Sequence, residues 1–386
     1  MRFLVPQLVL AFVLTAGLIG MGLGCANSRH NCGNRVLLPW PAEQGGYSFQ
    51  EIELDTLSSI YTLRGPVAEV YVEGHLAEDG YSGSVAEPRV TDSGDICVPQ
   101  DVQSSMALSA YAQMERLHSF EQELGVAQQI SWPRKVGIDI RLSGQTGLRH
   151  NNAHYFARQD VVAVIPYNVK NGIPMGINHG VFAHEHFHAH FQHLVIAPLN
   201  ARLGGLNVDD LEHADVTMKR GVNSYVLRGW NEGLADFYAS VYIRRTEFLS
   251  ETLPTRAKER DLDGVFTRMA TGEEFAAEIR RVRSESPQPE VLVNVSYSQG
   301  TQLARLLYRL SLNGALPPRT FLAGIMKNLS RIPSALVSKF ETEVVDFEWI
   351  VPILLTDVAL NSMGCDTLRT SLSPTWGRSF AQCPAF

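Results

Sequence analysis

The feature that most constrains this chain is a histidine-rich segment, Gly180–Leu194, with the sequence GVFAHEHFHAHFQHL. Its apolar residues recur at helical spacing and predict a helix. His184 and His188 are four residues apart, so their imidazoles would lie one turn apart on one face and reach a single metal ion. Glu185 would then stand beside a metal-bound water without being a ligand.

Five histidines crowd this segment, so the register of the metal pair has to be chosen. At about 100° per residue, His184 and His188 share a stripe with apolar residues, which predicts that this face packs on the core. The other histidines fall on the opposite side, where we expect them to face outward: His186, His190 and His193. A metal pair of His186 and His190 would put Phe187 where the general base belongs.

A second segment, Trp230–Tyr242 (WNEGLADFYASVY), supplies a third ligand. It predicts an amphipathic helix with Glu232 and Asp236 one turn apart. A zinc hydrolase needs three protein ligands and an open position for water, and Glu232 offers the missing ligand. Asp236 can accept the second ring N–H of a ligand histidine, and Asn231 can add a further hydrogen bond. The competing interpretation of this pair is an ordinary solvated helix face.

The succession of HExxH and NExxAD resembles the gluzincin superfamily of zinc metallopeptidases, which includes thermolysin and the aminopeptidase N group. The resemblance implies a zincin-like domain, one Zn²⁺ ion, Glu232 as third ligand and Asp236 as support for a ligand histidine. The connection from His188 to Glu232 is longer than in compact thermolysin-like enzymes. We therefore expect residues 197–229 to be an insertion near the cleft.

A third segment, Asn294–Leu310, reads as a loop that leads into an amphipathic helix. Tyr297 followed by Gly300 resembles the YxxG element of the aminopeptidase N group. That resemblance implies that the Tyr297 hydroxyl stabilises the tetrahedral intermediate. The plainer interpretation is a packed tyrosine at a helix start, and a histidine such as His213 or His118 is the alternative for the same role. The GxMEN element of exopeptidases in that group is absent, so endopeptidase or exopeptidase action stays open.

The first residues predict export. A short positive start precedes an apolar run, Leu8–Ile19, and small residues follow, as in a secretory signal peptide over 1–24. Leu23–Cys25 (LGC) resembles the end of a bacterial lipobox, although Gly22 stands where a leucine is usual. The expectation is a lipid-anchored protein of the bacterial cell envelope that begins at Cys25. Periplasmic or secreted protein is the alternative, and the run is short for a membrane span of roughly 20 residues.

The remaining four cysteines are Cys32, Cys97, Cys365 and Cys383. An even number in an exported chain predicts disulfides. Two local bridges, one in the N-terminal region and one near the C-terminus, are the simplest pairing. Sequence alone leaves the other pairings open.

The order of elements predicts an α+β fold with a zincin-like catalytic domain. A tether (25–46) and a small β-rich region (47–100) precede this domain (101–312), and a helical region (313–386) follows it. Within the domain we expect a helix over Val102–Leu124 and strands over Val136–Leu142 and Asp160–Tyr167. The last strand would form the edge of the cleft and bind an extended peptide by strand addition.

Together these patterns predict zinc-dependent hydrolysis of a peptide or protein substrate, with membrane contact through the N-terminal lipid. The net charge of −7 comes with no basic run, which argues against a nucleic-acid partner. Two alternatives stay open. The chain could be a non-catalytic surface lipoprotein that uses a peptidase-like scaffold for binding, or a zinc hydrolase that acts on a non-peptide bond.

Overall fold

The structure is a computed structural model that describes residues 32–42, 45–77, 80–142, 152–166, 172–206, 211, 214–286, 288–374, 380 and 383. The expected signal peptide, Cys25 and His213 lie outside these residues. Helices and strands are both well represented, which confirms a mixed α+β chain.

The described strands form two sheets. In chain order they are β1 (Arg35–Pro41), β2 (Tyr47–Glu53), β3 (Ala68–Ala77), β4 (Gly80–Val85), β5 (Val90–Ser93), β6 (Ile96–Pro99), β7 (Arg134–Ile138), β8 (Arg141–Leu142), β9 (Ala153–Phe156) and β10 (Val161–Val164). The first sheet has the order β2-β1-β6-β5. The second has the order β4-β3-β7-β10-β9, with β8 also paired to β3.

The described helices are α1 (Val102–Leu124), α2 (His179–Phe191), α3 (Ala197–Leu203), α4 (Lys219–Ile243), α5 (Pro254–Glu259), α6 (Gly272–Glu285), α7 (Pro289–Asn313), α8 (Pro318–Asn328), α9 (Ile332–Leu336), α10 (Ile350–Leu354) and α11 (Ser362–Ser371). Helix α1 lies between β6 and β7 in the chain, the other helices follow β10, and α1 and α2 pack on the second sheet. One buried apolar cluster extends from the first sheet through the site helices to α11. The C-terminal helices therefore share a core with the expected catalytic domain.

The first sheet corrects the expected tether. Residues 25–46 were predicted to link an anchor to the domain, yet β1 lies within them and pairs with β2 and β6. Val36 and Leu38 of β1 are fully buried. Burial of two branched side chains and a ladder of backbone hydrogen bonds makes this segment part of the fold.

The second sheet corrects the expected cleft strand. β10 pairs with β7 on one side and with β9 on the other, so it is an inner strand. The edge strand on this side of the sheet is β9. Asp160 has a positive φ of 52°, and it forms the turn that folds β9 back on β10. The predicted strand Asp160–Tyr167 therefore begins one residue later, and its neighbour β9 takes the edge position.

Helix α1 has the predicted bounds because both of its ends are capped. The Asp101 side chain accepts a hydrogen bond of 2.7 Å from the Ser104 N–H. At the other end Gly125 has a φ of 68°, a left-handed conformation that glycine adopts at little cost.

Helices α4 and α7 approach each other more closely than side chains would permit. A Cβ atom built on Gly233 of α4 would lie 2.2 Å from the carbonyl oxygen of Gly300 in α7. One on Gly300 would lie 2.4 Å from the carbonyl oxygen of Gly229. These glycines are therefore needed where the two helices cross.

Two segments contain more helix than predicted. The expected insertion at 197–229 contains α3 and the first turns of α4, and the expected loop before Tyr297 belongs to α7. Polar side chains near the start of α4 make tertiary contacts. The Asn223 side chain, for example, donates to the carbonyls of Phe340 and Glu343, at 2.8 Å each.

Two disulfides have the predicted local pairing. Cys32 is joined to Cys97, and Cys365 to Cys383. The first bridge attaches the start of the described chain to β6, and the second closes the C-terminal segment onto α11. Among the described residues, no helix combines the length and the apolar character that a membrane span needs.

Candidate metal centre

The histidine pair of α2 converges on one point. Asn178 begins the helix by accepting the N–H groups of Gly180 and Val181, at 2.9 and 3.2 Å. From there the one-turn spacing brings Nε2 of His184 within 3.1 Å of Nε2 of His188. Zinc–imidazole bonds are about 2.0–2.1 Å long, so both nitrogens can reach one ion.

Glu232 of α4 completes the set. Its Oε2 lies 3.2 Å from Nε2 of His184, and its Oε1 lies 3.9 Å from Nε2 of His188. The three side chains are buried, with relative exposures of 4–7%. Two imidazole nitrogens and a carboxylate oxygen form a donor set that zinc commonly binds in hydrolases.

Oxygen acceptors hold both imidazoles from behind. Nδ1 of His184 lies 3.0 Å from Oδ1 of Asp236, and Nδ1 of His188 lies 2.8 Å from Oδ1 of Asn231. Because these oxygens accept hydrogen bonds, each ring carries a hydrogen on Nδ1 and turns Nε2 toward the centre. Asp236 and Asn231 thus occupy the supporting positions expected from the sequence.

Burial and charge shape the acidities of the centre. Burial lowers the pKa of His188 to about 3, so this ring is neutral. Burial and Arg260 alone would lower the pKa of His184, but its carboxylate partners Asp236 and Glu232 raise it to about 9. Burial alone would raise the pKa of Glu232, but Arg228 and the two histidines lower it well below its usual value. The ligand carboxylate is therefore ionised.

Two arginines in the centre were not predicted. Nε of Arg228 lies 3.1 Å from Oε1 of Glu232, one turn earlier on α4. Arg260, just after α5, donates to both carboxylate oxygens of Asp236, with its Nε at 3.0 Å from Oδ2. The four-residue spacing from Arg228 to Glu232 was a readable signal. Nothing in the local sequence marks Arg260.

Glu185 lies beside the ligands and is tied to the sheet. Its potential ligand atom and those of His184 and His188 all lie within 4.8 Å of one another. Its Oε2 accepts a hydrogen bond of 2.8 Å from the backbone N–H of Tyr155 in β9. The expected base thus stands next to the expected metal position with a fixed orientation.

Tyr297 also reaches the centre, although from within α7. Its hydroxyl oxygen accepts a hydrogen bond of 3.0 Å from Nη2 of Arg228. Its ring lies against the guanidinium groups of Arg228 and Arg260, at 5.6 and 5.5 Å from the centroid. Burial, followed by the charge of Glu232, raises the pKa of Tyr297. The hydroxyl is therefore protonated at neutral pH.

The alternative histidine His118 lies elsewhere. Its ring packs against Trp132 with centroids 4.6 Å apart, and Trp132 in turn lies 5.3 Å from the ring of His186. His186 is on the face of α2 opposite His184, so His118 is behind the centre. The other alternative, His213, lies outside the described residues.

The expectation that the second histidine face points outward is wrong for two of its three members. His186 and His190 are fully buried, because α1 covers this face of α2. Both direct Nε2 at Oε1 of Glu121 in α1. His193, beyond the end of α2, is exposed as expected, with 40% of its side chain accessible.

A comparison with models of known protein families finds no match, and a comparison with curated proteins finds none either. The likeness to gluzincins therefore rests on the three motifs and on the arrangement of the residues described above.

Proposed function

We propose that this protein is a zinc-dependent peptidase with a zincin-like catalytic domain of the gluzincin type. The observation that carries the proposal is the buried convergence of His184, His188 and Glu232. Each imidazole is oriented from behind by an oxygen acceptor, and a carboxylate that is not a required ligand stands alongside. A chance cluster of buried polar residues would not be expected to supply ligands, supports and a base together.

The residues of the centre have distinct roles in this proposal. His184, His188 and Glu232 hold the zinc ion, which when bound polarises the scissile carbonyl and acidifies a water molecule. Glu185 takes the proton from the attacking water and delivers it to the leaving amine nitrogen. The hydrogen bond from the Tyr155 N–H keeps the Glu185 carboxylate aimed at that position.

Tyr297 stabilises the negative charge that develops on the carbonyl oxygen. Because Arg228 donates to the Tyr297 oxygen, the hydroxyl proton of Tyr297 is left to donate to the substrate. The same arginine contacts Glu232. Arg228 thus places the oxyanion donor next to the metal ligand, in the preorganised manner that acyl transfer requires.

The edge strand β9 provides the surface for an extended peptide. The N–H of Tyr155 bonds to Glu185 rather than to β10, so it points out of the free edge toward the centre. A peptide that added to this edge would pass the base and the ligands. This role replaces the one expected for Asp160–Tyr167.

Export and lipid anchoring at Cys25 belong to the same proposal. Two disulfides within the described residues are typical of proteins that fold in an oxidising compartment. We expect a location in the bacterial cell envelope, with the peptide substrate met outside the cytoplasm.

The decisive experiment is the zinc content of the purified chain, compared between wild type, Glu232→Ala and the control Glu348→Ala. Glu348 is also a buried carboxylate, 3% exposed. It accepts a hydrogen bond from the backbone N–H of Ser373, which lies well after the site helices in the chain. We expect one zinc per chain in wild type and in the control, and binding at least about 10-fold weaker in Glu232→Ala. Equal zinc in all three proteins would refute the three-ligand centre.

A further inference from the structure

A buried carboxylate lies directly behind the candidate metal centre. Oε1 of Glu121, in α1, is 2.8 Å from Nε2 of His186 and 2.6 Å from Nε2 of His190, both in α2. The Tyr238 hydroxyl of α4 donates to the same oxygen at 2.9 Å. All four residues have 0% exposure. We call them the Glu121 cluster, and it joins three helices at a single oxygen atom.

The distances within the cluster match those of hydrogen bonds. Lengths of 2.6–2.9 Å are those of hydrogen bonds to a charged acceptor. All three donors meet on Oε1, whereas Oε2 of Glu121 has no hydrogen-bond partner in the described part of the chain. The ring nitrogens of His186 and His190 and a Glu121 oxygen also lie close enough together to share a metal ion, and the experiment below distinguishes the two arrangements.

The two faces of α2 therefore carry different histidine tautomers. At the front, Asp236 and Asn231 accept from Nδ1, so the proton is on Nδ1. At the back, an ionised carboxylate only accepts, so His186 and His190 donate from Nε2. One helix thus holds two metal-facing imidazoles and, rotated by about 200°, two imidazoles that hold its position.

We propose that Glu121 is a positioning residue for the metal centre, because it fixes α2 relative to α4 and so sets the spacing of His184 and His188 from Glu232. The proposal rests on the function proposed above. The ligands come from two helices, and no covalent link fixes those helices to each other. Tyr238 is two residues beyond Asp236 and projects from the opposite side of α4. Both ligand-bearing helices are thus held from behind their ligand faces.

A carboxylate suits this position better than its amide counterpart. Hydrogen bonds to an ionised oxygen are roughly twice as strong as those between neutral groups. An amide oxygen in Glu121→Gln would keep the size of the side chain but hold the three donors less firmly. The amide nitrogen would take the place of Oε2, which has no hydrogen-bond partner among the described residues, and would bury two further N–H groups. We expect α2 and α4 to shift relative to each other while the fold persists.

The experiment compares zinc dissociation constants, measured by competition with a chelator, in wild type, Glu121→Gln, Tyr238→Phe and the control Asn328→Ala. Asn328 is buried, and its side chain donates to the carbonyls of Leu354 and Thr356, away from the site helices. We expect zinc affinity to fall about 10- to 100-fold in Glu121→Gln and by less in Tyr238→Phe. The control should keep the wild-type zinc affinity even when it loses as much thermal stability as these variants. The visible spectrum of the Co²⁺-substituted protein should change in the same order.

Three results would contradict parts of this account, and they are distinguishable. Wild-type zinc affinity and an unchanged Co²⁺ spectrum in Glu121→Gln, or in Tyr238→Phe if the first variant fails to fold, would refute the positioning role alone. Absence of zinc from wild type would refute the proposed function. Two zinc ions per wild-type chain, with ¹⁵N spectra that place the protons of His186 and His190 on Nδ1, would show a second metal site in place of the cluster.

Discussion

The backbone N–H of Tyr155 donates a hydrogen bond of 2.8 Å to Oε2 of Glu185. This contact joins the edge strand of the second sheet to the residue that we propose as general base. It crosses from β9 to α2, and it fixes the carboxylate at the side of the metal centre that an extended peptide would approach. The position of the base therefore depends on the sheet as well as on its own helix.

Glu185→Gln should separate chemistry from metal binding. The amide keeps the size of the side chain and can still accept the Tyr155 N–H, but it cannot take a proton from water. We expect normal zinc content and a fall in peptide turnover of about 10²- to 10⁴-fold, measured with a quenched fluorescent peptide library. If wild type showed no peptide turnover, and if the variant bound peptides or surfaces as well as wild type does, the scaffold would be a binding protein.

Tyr297→Phe should lower kcat with little effect on KM. The hydroxyl is proposed to act only on the charge of the transition state, and loss of one such donor costs about 10²- to 10³-fold. Tyr308→Phe is the matched control, because Tyr308 lies on the same helix α7. An equal and small effect of both substitutions on kcat would show that Tyr297 only packs.

Asp160→Asn should make the free energy of unfolding less dependent on pH in the acidic range. Burial alone would raise the pKa of Asp160, but hydrogen bonds from His193, Arg134 and Tyr155 lower it well below its ordinary value. A carboxylate with a lowered pKa stabilises the folded state above the unfolded value of about 3.9 and loses this contribution as pH falls below it. Asparagine tolerates the left-handed backbone at this position.

At pH 6 we expect Asp160→Asn to lower the free energy of unfolding in urea by about 1–3 kcal/mol, because Arg134 is buried and loses a charged partner. At pH 3 the difference from wild type should shrink. Asp366→Asn is the control, since Asp366 pairs with Arg369 on the surface, where ion pairs contribute little. A difference that stayed constant from pH 6 to pH 3 would contradict the ionic interpretation.

Removal of the C-terminal disulfide should destabilise the chain without touching the metal centre. The two cysteines are 18 positions apart, and closing a loop of this size restricts the unfolded chain by about 3 kcal/mol. We expect Cys365→Ser with Cys383→Ser to lower the urea midpoint and to leave zinc content unchanged. Four free thiols in the oxidised wild-type protein would rule out both bridges.

The front of the centre could be predicted because its geometry is local. His184 with His188, and Glu232 with Asp236, are one-turn pairs, and any regular helix brings such pairs together. The bounds of α1 could be predicted from local sequence as well, because Asp101 caps one end of that helix. What the sequence could not supply was the distance between the two pairs, which depends on how α2 packs on α4.

The back of α2 was misjudged for a physical reason. A helical projection assigns polar residues to solvent, and it does so correctly only when no other element covers them. Glu121 is 65 positions from His186 and 69 from His190, so their pairing has no local signature. The polar side that resembled a surface is an interior contact.

Helix starts were missed where glycine serves packing. The second site helix was predicted from Trp230, yet α4 begins at Lys219, and Gly229 and Gly233 inside it permit the close crossing with α7. Gly300 has the same explanation. Helix packing alone therefore accounts for the glycine of the YxxG pattern at Tyr297, without any reference to the family resemblance. Arg260 lies after α5, and only the folded chain brings it to Asp236.

Because four histidines of the tract are buried in the folded chain, the accessibility of the tract reports whether the chain is folded. Within this tract, a nickel resin or an imidazole-modifying reagent would reach mainly His193 on the native protein, and all five histidines once the chain has unfolded. A stretch that looks like a natural affinity tag would thus retain denatured molecules in preference to folded ones. Purification by that route would select the wrong population.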